Sequence, residues 1–389
     1  MILNSSKKIT PPEWMVDARA QKLMEIIGGA EGRSRFVGGC VRNQLLNRSV
    51  EDIDIATQFT PVDVMACLKD KGVKAIPTGI DYGTVTAVID SQPFEITTLR
   101  KDIETDGRHA DVAFTDDWGE DAKRRDFTMN TLLADMEGNI YDPTGQGLVD
   151  LKARRVVFVG EPAKRIAEDY LRILRFFRFH AFYGQGEMDQ AALQACQEAS
   201  DKISSLSRER ITSEFLKILS VDMAPFILKI MFDHKVLSDL VDKNYQEKIL
   251  RNLYEKQSVI RAENVLSRLF VMAGNKARLY EDALRLSHAQ KNFLVKLEMA
   301  FNPVFYADEK AVKKAIFHHG NELMLQGYLL LIANGQVEED HAMIDTLQNW
   351  QAPQCPITGD MLIAEGYVTG PDLGQELTRR QEEWLESII

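Results

Sequence analysis

The sequence predicts a multidomain α+β protein with a mixed α/β head over residues 1–155 and an all-helical remainder. Three observations carry this. The chain has 389 residues, which at about 150 residues per compact unit gives two or three units. Short strand-like segments alternate with helices up to residue 155. Beyond Pro162, apolar residues recur at helical spacing to the end, with almost no alternating pattern. A chain 45% hydrophobic and 27% charged, with 24 Gly and 12 Pro, is neither globally disordered nor a fibrous repeat.

The elements follow in order. Trp14, Ala18, Leu23, Ile26 and Ile27 mark an amphipathic helix over 13–27, ended by Gly28-Gly29. A strand at 35–37 runs into the sharp turn Gly38-Gly39 and a helix over 40–46. Residues 51–57 alternate as a strand, a helix over 61–71 starts at a proline, and strands follow at 85–89 and 94–99. Residues 100–123 are charged and aperiodic and read as a loop pivoting at Gly107. A helix over 125–133 and a hairpin over 133–141 complete the head. The later helices are expected at 163–182, 189–199, 207–220, 225–233, 261–273, 276–286, 289–299, 308–317, 321–333, 338–349, 358–365 and 371–387.

The net charge of −11 reads at first against a nucleic-acid partner, whose footprint is usually basic. The charge is unevenly spread. Residues 331–389 carry 11 acidic groups against Arg379 and Arg380, a net of −9, which leaves −2 for everything before. Between Lys164 and His180, five basic residues face two acidic ones. Cys40, Cys67, Cys196 and Cys355 form no C-x-x-C pair, which suits a reducing compartment without a disulfide framework. His318 and His319 are neighbours on a helix and diverge, with Gly320 as its cap, so paired metal ligation is not expected there. The N-terminus lacks the apolar core of a signal peptide, and no apolar run spans a membrane. A soluble, cytoplasmic protein is expected.

Three constellations carry chemistry. The first is Gly38-Gly39-Cys40-Val41-Arg42-Asn43 followed by Asp52-Ile53-Asp54. Glycines let backbone N–H groups approach a phosphate at a helix start, and Arg42 adds a cationic hand. Asp52 and Asp54, two apart on a strand, share a face. Neighbouring carboxylates call for a cation, and Mg²⁺ suits oxygen ligands and substrate phosphates. A pair of ions about 3.5–4 Å apart is within reach of two such groups. Glu95 on a later strand is either a third carboxylate or an exposed strand residue. Taken singly, Gly-Gly is also a plain turn and Asp-x-Asp a solvated strand face. The second constellation is Arg124-Arg125-Asp126-Phe127-Thr128-Met129-Asn130, with Arg125 a candidate phosphate ligand and Asp126 or Thr128 a candidate cap. A salt-bridged helix start is the alternative. The third is Glu168-Asp169 with Arg172, Arg175 and Arg178, a polar row every three residues beside a strong apolar pattern. It is either a solvated face or a seat for a partly buried anion.

Together these segments resemble the class II tRNA nucleotidyltransferase and bacterial poly(A) polymerase family, within the DNA polymerase β-like superfamily. Gly38-Gly39-x-Val41-Arg42 with Asp52-x-Asp54, then Arg124 to Asn130, then Tyr141-Asp142-Pro143, then Glu168-Asp169-x-x-Arg172 match the family's motifs in order over 145 residues. The helical remainder matches less specifically, with Pro356-Ile357-Thr358-Gly359 similar to the family's tail. The resemblance implies a polymerase β-like head (1–155), a neck with nucleobase-reading helices (156–222), a helical body (223–335) and an RNA-binding tail (336–389). It implies metal ligation by Asp52 and Asp54, for which Mg²⁺ is the expected ion, and Asp52, Asp54 and Glu95 are the expected catalytic residues. Nucleotide contacts fall to Gly38, Gly39, Arg42, Arg125, Asn130, Asp169, Arg172, Arg175 and Arg178. Asn43 departs from the family's usual Asp, and a local hydrogen-bonding change is expected there.

The implied reaction adds C and A from CTP and ATP to the 3′ end of tRNA and releases pyrophosphate. Cytosine and adenine each set an amino donor beside a ring-nitrogen acceptor. Asp169 and Arg172 on one helix face supply the complement, which uracil and guanine reverse. Residues 100–123, with Arg100, Arg108 and His109, are expected to reposition the primer end. A poly(A) polymerase, a CC- or A-adding partial enzyme and a catalytically silent RNA-binding protein are the alternatives. The acidic C-terminal segment favours a defined tRNA over general RNA.

Overall fold

A computed structural model describes residues 4–106, 109–237, 246–275 and 284–389. The chain divides into two compact units, residues 1–214 with 230–236, and residues 215–229 with 237–389.

In the first unit, eight strands form one sheet in the order β1-β10-β9-β2-β3-β6-β5-β4. They are β1 (Lys7–Lys8), β2 (Ser34–Val37), β3 (Asp54–Thr57), β4 (Lys74–Gly79), β5 (Thr84–Ile89), β6 (Gln92–Thr98), β9 (Leu133–Ala134) and β10 (Asn139–Tyr141). β3 and β6 are the parallel pair, with Asp54 opposite Glu95. Such pairing needs a crossover, supplied through the helix Pro61–Asp70, which Thr60 and Asp63 start with a capping box. β5 turns into β6 through Asp90 and Ser91, both at positive φ (48° and 66°), which matches the twist of a two-residue hairpin. Phe36, Ile55, Phe94 and Ile96 are buried from the sheet, and Met15, Leu23 and Met24 from the N-terminal helices.

A second apolar cluster joins the segments on either side of β9 and β10 to the following helices. Phe127 lies 4.9 Å from Phe158 and 4.7 Å from Phe179 between ring centres. Phe158 stacks on Phe176 at 5.7 Å. Phe127 and Phe158 also form a single antiparallel bridge. This cluster fixes the helix Leu171–Tyr183 against residues 124–130.

Several expectations change. Residues 100–123 are not a loop: β7 (Arg100–Asp106) and β8 (His109–Phe114) pair as a separate hairpin, and Trp118–Arg124 is a helix. Their charged residues hid both patterns. Gly107 and Arg108 lie outside the described residues, as do the surroundings of the His109 side chain. The expected helix over 125–133 is extended backbone and a 3₁₀ turn at Thr128–Asn130. There Asp126 bonds to Phe127 N and Asn130 rather than capping a helix. The strand expected at 51–57 begins at Asp54, so Asp52 precedes it. Asp17 breaks the first helix in two by capping the second half, accepting from Arg19 N at 2.9 Å. The edge strand β4, mostly exposed, lacks the alternation that would reveal it.

In the second unit, the helix Asn321–Ala333 is buried almost all round, as expected of a helix apolar on every face. Beside it Arg268 is fully buried, donating to Gln257 Oε1 at 2.7 Å and Leu219 O at 2.8 Å over the Tyr254 ring. The helix Glu247–Ile260 escaped sequence reading. Residues 276–283 of one expected helix lie outside the described residues, and 284–286 are not helical. At the end of the chain, Trp384 and Glu382 meet Phe317 and His318, the latter pair at 2.6 Å. No helix among the described residues is long and apolar enough to cross a membrane.

Phe127→Ala removes a ring at the centre of the aromatic cluster. It is expected to cost about 3–5 kcal/mol, read as a lower denaturant midpoint for the first unit.

Candidate active site

β2 delivers the chain to Gly38 at φ +70° and ψ −116°, a conformation that side-chain-bearing residues rarely adopt. A Cβ there would lie 3.7 Å from Arg125 Nη1 and 3.8 Å from Asn130 O, so the turn also lets two segments approach. The helix Gly39–Leu45 follows, and its first N–H groups have no intrahelical partner. Arg42 is buried at 7% exposure. Its Nη1 donates to Asn130 Oδ1 at 2.5 Å and its Nη2 to Tyr183 OH at 2.7 Å. Nε and Nη2 also donate to Asn43 Oδ1 at 3.2 and 2.9 Å. These acceptors are all neutral, so no carboxylate cancels the Arg42 charge at these contacts. Burial pulls its pKa down, with Tyr183 and Asp126 opposing. Asn43 in turn donates to Ser49 O at 3.0 Å, tying the helix to the loop that leads to Asp52.

Asp54 stands at the start of β3 beside Glu95 on β6. Burial first, then the charges of Glu95 and Asp52, push its carboxyl above the usual range, while Arg125 and Arg42 pull it back. None of the three carboxylates has an ion pair among the described residues. Nor do three or more His, Cys, Asp or Glu side chains gather there as a ready metal cage. Carboxylates that repel one another and lack a cationic partner fit a hard divalent ion whose shell is completed by water and substrate oxygens.

The segment after the helix Trp118–Arg124 is held by two buried aspartates. Asp121, 2% exposed, accepts from Arg124 Nε at 2.8 Å and from Arg125 Nε and Nη2 at 3.1 and 2.8 Å. Burial raises its pKa, but Arg125 and Arg124 outweigh this and hold it low. Asp126 accepts from Phe127 N and Asn130 Nδ2, both at 2.8 Å, and from Arg175 Nε at 3.0 Å. Burial again opposes ionisation, and Arg175 with Asn130 keeps the carboxyl below its ordinary range.

The helix expected over 163–182 is broken. Pro162–Glu168 and Leu171–Tyr183 are separate, with Asp169 extended at φ −156°. Asp169 and Arg172 therefore do not share one helix face. Asp169 Oδ1 instead accepts from Leu171 N at 3.1 Å, a local bond that competes with continued helix. Its Oδ2 accepts from Arg210 Nη2 at 2.7 Å. Arg172 Nη1 donates to Glu168 Oε2 at 2.6 Å and Arg165 O at 2.7 Å. Arg178 pairs with Glu214.

One concave pocket of about 430 Å³ gathers Gly38, Gly39, Arg42, Asp54, Arg125, Asn130, Asp169, Arg172 and Arg175. Arg124, Asp126, Leu171, Phe179 and Arg210 complete its lining. An adjoining pocket of about 350 Å³ shares Gly39, Arg42 and Asp54 and adds Asp52. Glu95 and Arg178 line neither. Six arginines against three aspartates line the first pocket, which suits a polyanion with a specific polar end. Sequence reading missed Arg210 and the structural weight of Asp126. Arg210 stands in the amphipathic stretch Arg208–Leu219, with nothing local to mark it.

Residues 34–157 match the family model described as the poly A polymerase head domain. Residues 187–242 match that of a probable RNA and SrmB-binding site of polymerase A. The chain is 34% identical to the mitochondrial CCA tRNA nucleotidyltransferase 1 of Danio rerio, over 94% of this chain and 86% of that protein. It is 31% identical to the CCA-adding enzyme of Streptococcus gordonii, over 92% and 90%. Its fold matches the Bacillus stearothermophilus CCA-adding enzyme in complex with CTP, with TM-score 0.73 and 24% identity over 96% of this chain and 94% of that one. It also matches the Thermotoga maritima CCA-adding enzyme complexed with tRNA, with TM-score 0.67 and 18% identity over 100% and 96%.

Asp126 and Asp54 have opposite pH signatures. Asp126, held low, stabilises the fold above its unfolded value of about 3.9, and this is lost as pH falls through the folded value. Asp126→Asn takes away the nearer carboxylate of Arg175, leaving Glu214 at 3.9 Å, and is expected to cost about 3 kcal/mol at pH 7, with the deficit shrinking in acid. Asp54, held high, opposes folding above its folded value. Asp54→Asn is expected to raise the melting temperature at pH 7, a gain that fades below pH of about 4. Melting curves from pH 3 to 8 check both.

Proposed function

This chain belongs to the family of CCA-adding tRNA nucleotidyltransferases and adds C and A to the 3′ end of tRNA, and on that premise we propose how its pocket does so. CTP and ATP bind with their phosphates toward Gly38, Gly39, Arg42 and Arg125 and their bases toward Asp169 and Arg172. The observation that carries this reading is the convergence of nine motif residues, from four stretches of chain, on one pocket. Five of the six lining arginines are paired with Asp121, Asp126, Glu168 or Asp169, whereas Arg42, whose observed acceptors are neutral, keeps its charge for the ligand.

Family membership implies a divalent metal, and we propose Mg²⁺ held by Asp52 and Asp54 with Glu95 beside them. When bound, it supplies activation of the tRNA 3′-hydroxyl and neutralisation of the leaving phosphates. The chain's own groups do the rest. Gly38 leaves room for the phosphates, and Asn130 aims Arg42 through its Oδ1. Asp121 holds Arg125 at the rim. The 3′-oxygen attacks the α-phosphorus, its proton passes to water, and the bond to the oxygen bridging the α- and β-phosphorus breaks as pyrophosphate leaves.

Base choice falls to Asp169, accepting from the amino group of cytosine or adenine, and Arg172, donating to the adjacent ring nitrogen. Each Asp169 oxygen is met by one donor, and a carboxylate oxygen has a second lone pair to offer. Asn130, Arg175 and Arg178 act behind these contacts, Arg175 through Asp126 and Arg178 through Glu214. We further propose a neck over 156–222, a body over 223–335 and a tail over 336–389 that contact tRNA. The proposed compartment is the cytoplasm, in keeping with four free cysteines. The poly(A) reading has less support, because the curated relatives reported above are CCA enzymes.

The decisive experiment supplies tRNA lacking its 3′ end with CTP, ATP or both and sequences the products. CCA is expected with both nucleotides and CC with CTP alone, whereas open-ended A addition would return the poly(A) reading. Asp52→Ala and Asp54→Ala are expected to lower the rate by at least roughly 100-fold, and chelation to stop incorporation until Mg²⁺ is restored. Exchanging the donor–acceptor pattern at Asp169 and Arg172 is expected to relax selection against UTP and GTP by about 10- to 100-fold. Unchanged selectivity in single-nucleotide assays would remove the base-reading assignment.

A further inference from the structure

Arg165 lies outside both pockets and outside every role assigned above, yet it touches three of the segments that build the site. It is 8% exposed. Its Nη2 donates to Arg125 O at 2.8 Å and also to Arg124 O, while its Nη1 pairs with Glu168. Its own carbonyl accepts from Arg172 Nη1 at 2.7 Å, and the same Arg172 nitrogen reaches Glu168 Oε2 at 2.6 Å. The carbonyls of Arg124 and Arg125 end the helix Trp118–Arg124, where acceptors lack intrahelical partners.

The contacts therefore run without a gap from Arg125 to Arg172. Asp121 grips Arg124 and Arg125 by their side chains, and Arg165 grips the same two residues by their main chain. Arg165 and Glu168 then hold Arg172. A planar guanidinium bridges two carbonyls and a carboxylate at once, whereas an ammonium is a point donor on a flexible stem. The helix break at Asp169 and Tyr170 interrupts the backbone ladder that would otherwise fix Arg172 relative to its approach.

We propose that Arg165 is a positioning residue: it sets the separation between the phosphate-side Arg125 and the base-side Arg172, so that one nucleotide meets both. This rests on the base-reading assignment of Arg172 above. Because both ends of a nucleotide must register together, loosening the strut weakens binding and blurs base choice in the same variant. A helix-end anchor with only a structural role would lower stability and leave base choice intact.

The test uses the full-length enzyme, truncated tRNA and CTP, ATP or UTP, with Arg165→Lys and Glu168→Gln, which release the strut from opposite ends. Melting temperatures are recorded alongside. Arg165→Lys is expected to raise KM for CTP and ATP about 10-fold, to lower kcat less, and to cut the CTP-over-UTP ratio of kcat/KM by about 5-fold or more. Glu168→Gln, which keeps the side chain's shape, is expected to shift the ratio the same way and covers the case of Arg165→Lys failing to fold. Folded variants with an unchanged ratio, or with CTP and UTP rates lowered equally as the melting temperature drops, overturn the proposal. Arg172→Ala is measured in parallel. If it leaves the ratio unchanged, the base-reading assignment fails; if it collapses the ratio while the strut variants do not, the strut alone fails.

Discussion

The buried carboxylate of Asp126 is the interaction on which the site depends. It lies where the sheet-bearing segment meets the helix Leu171–Tyr183, and it receives a main-chain N–H, an amide and a guanidinium. Through Asn130 it reaches Arg42, and through Arg42 and Asn43 it reaches the loop before Asp52. Losing any donor would leave a charge in a dry place, which is costly. The phenylalanines around it exclude water and so strengthen each bond. The result is a pocket whose polar walls are tied together through buried charges, Asp126 with Arg175 and Asn130 and Asp121 with Arg124 and Arg125.

This arrangement also reconciles an acidic chain with an anionic substrate. The net charge of −11 sums the whole chain, but in physiological salt a ligand feels mainly the charges within about 8–10 Å of it. Inside the pocket, six arginines face three aspartates. Two of those aspartates are paired with arginines, Asp126 with Arg175 and Asp169 with Arg210. Overall acidity limits indiscriminate attraction to polyanions, and the local surplus rewards a ligand that enters the cavity. Asp54 shows the complementary strategy, being left without a partner among the described residues and therefore destabilising until a cation arrives. Stability is given up where chemistry needs an unsatisfied group.

Much of the site was legible in the sequence because its signals are local. A glycine pair between a strand and a helix, two aspartates two apart, and a run of arginines among aromatics each betray their chemistry within a few residues. The missing parts are those in which distant residues decide. The break at Asp169 depends partly on Arg210, 41 positions away, and no helical pattern announces it. The role of Asp126 depends on Arg175, 49 positions on. The hairpin of β7 and β8 was hidden because its charged residues do not alternate with apolar ones, and the edge strand β4 because most of its residues are exposed. The helix Asn321–Ala333, by contrast, was read to the residue, since a long apolar run needs no partner to declare itself.

The order of strands in the sheet has a consequence for synthesis. β1 pairs with β10, and β3 is flanked by β2 and β6, so during synthesis Lys7 and Lys8 wait for Tyr141 before the sheet closes. The pocket waits longer. Its lining runs from Gly38 to Arg210, and Arg175 and Arg210 supply charges that Asp126 and Asp169 need. A nascent chain that ends before Arg175 leaves Asp126 and the surrounding aromatics without the partners that the later helices supply, and transiently open surface of this kind is what chaperones guard in larger proteins. A complete pocket therefore requires the chain as far as Arg210.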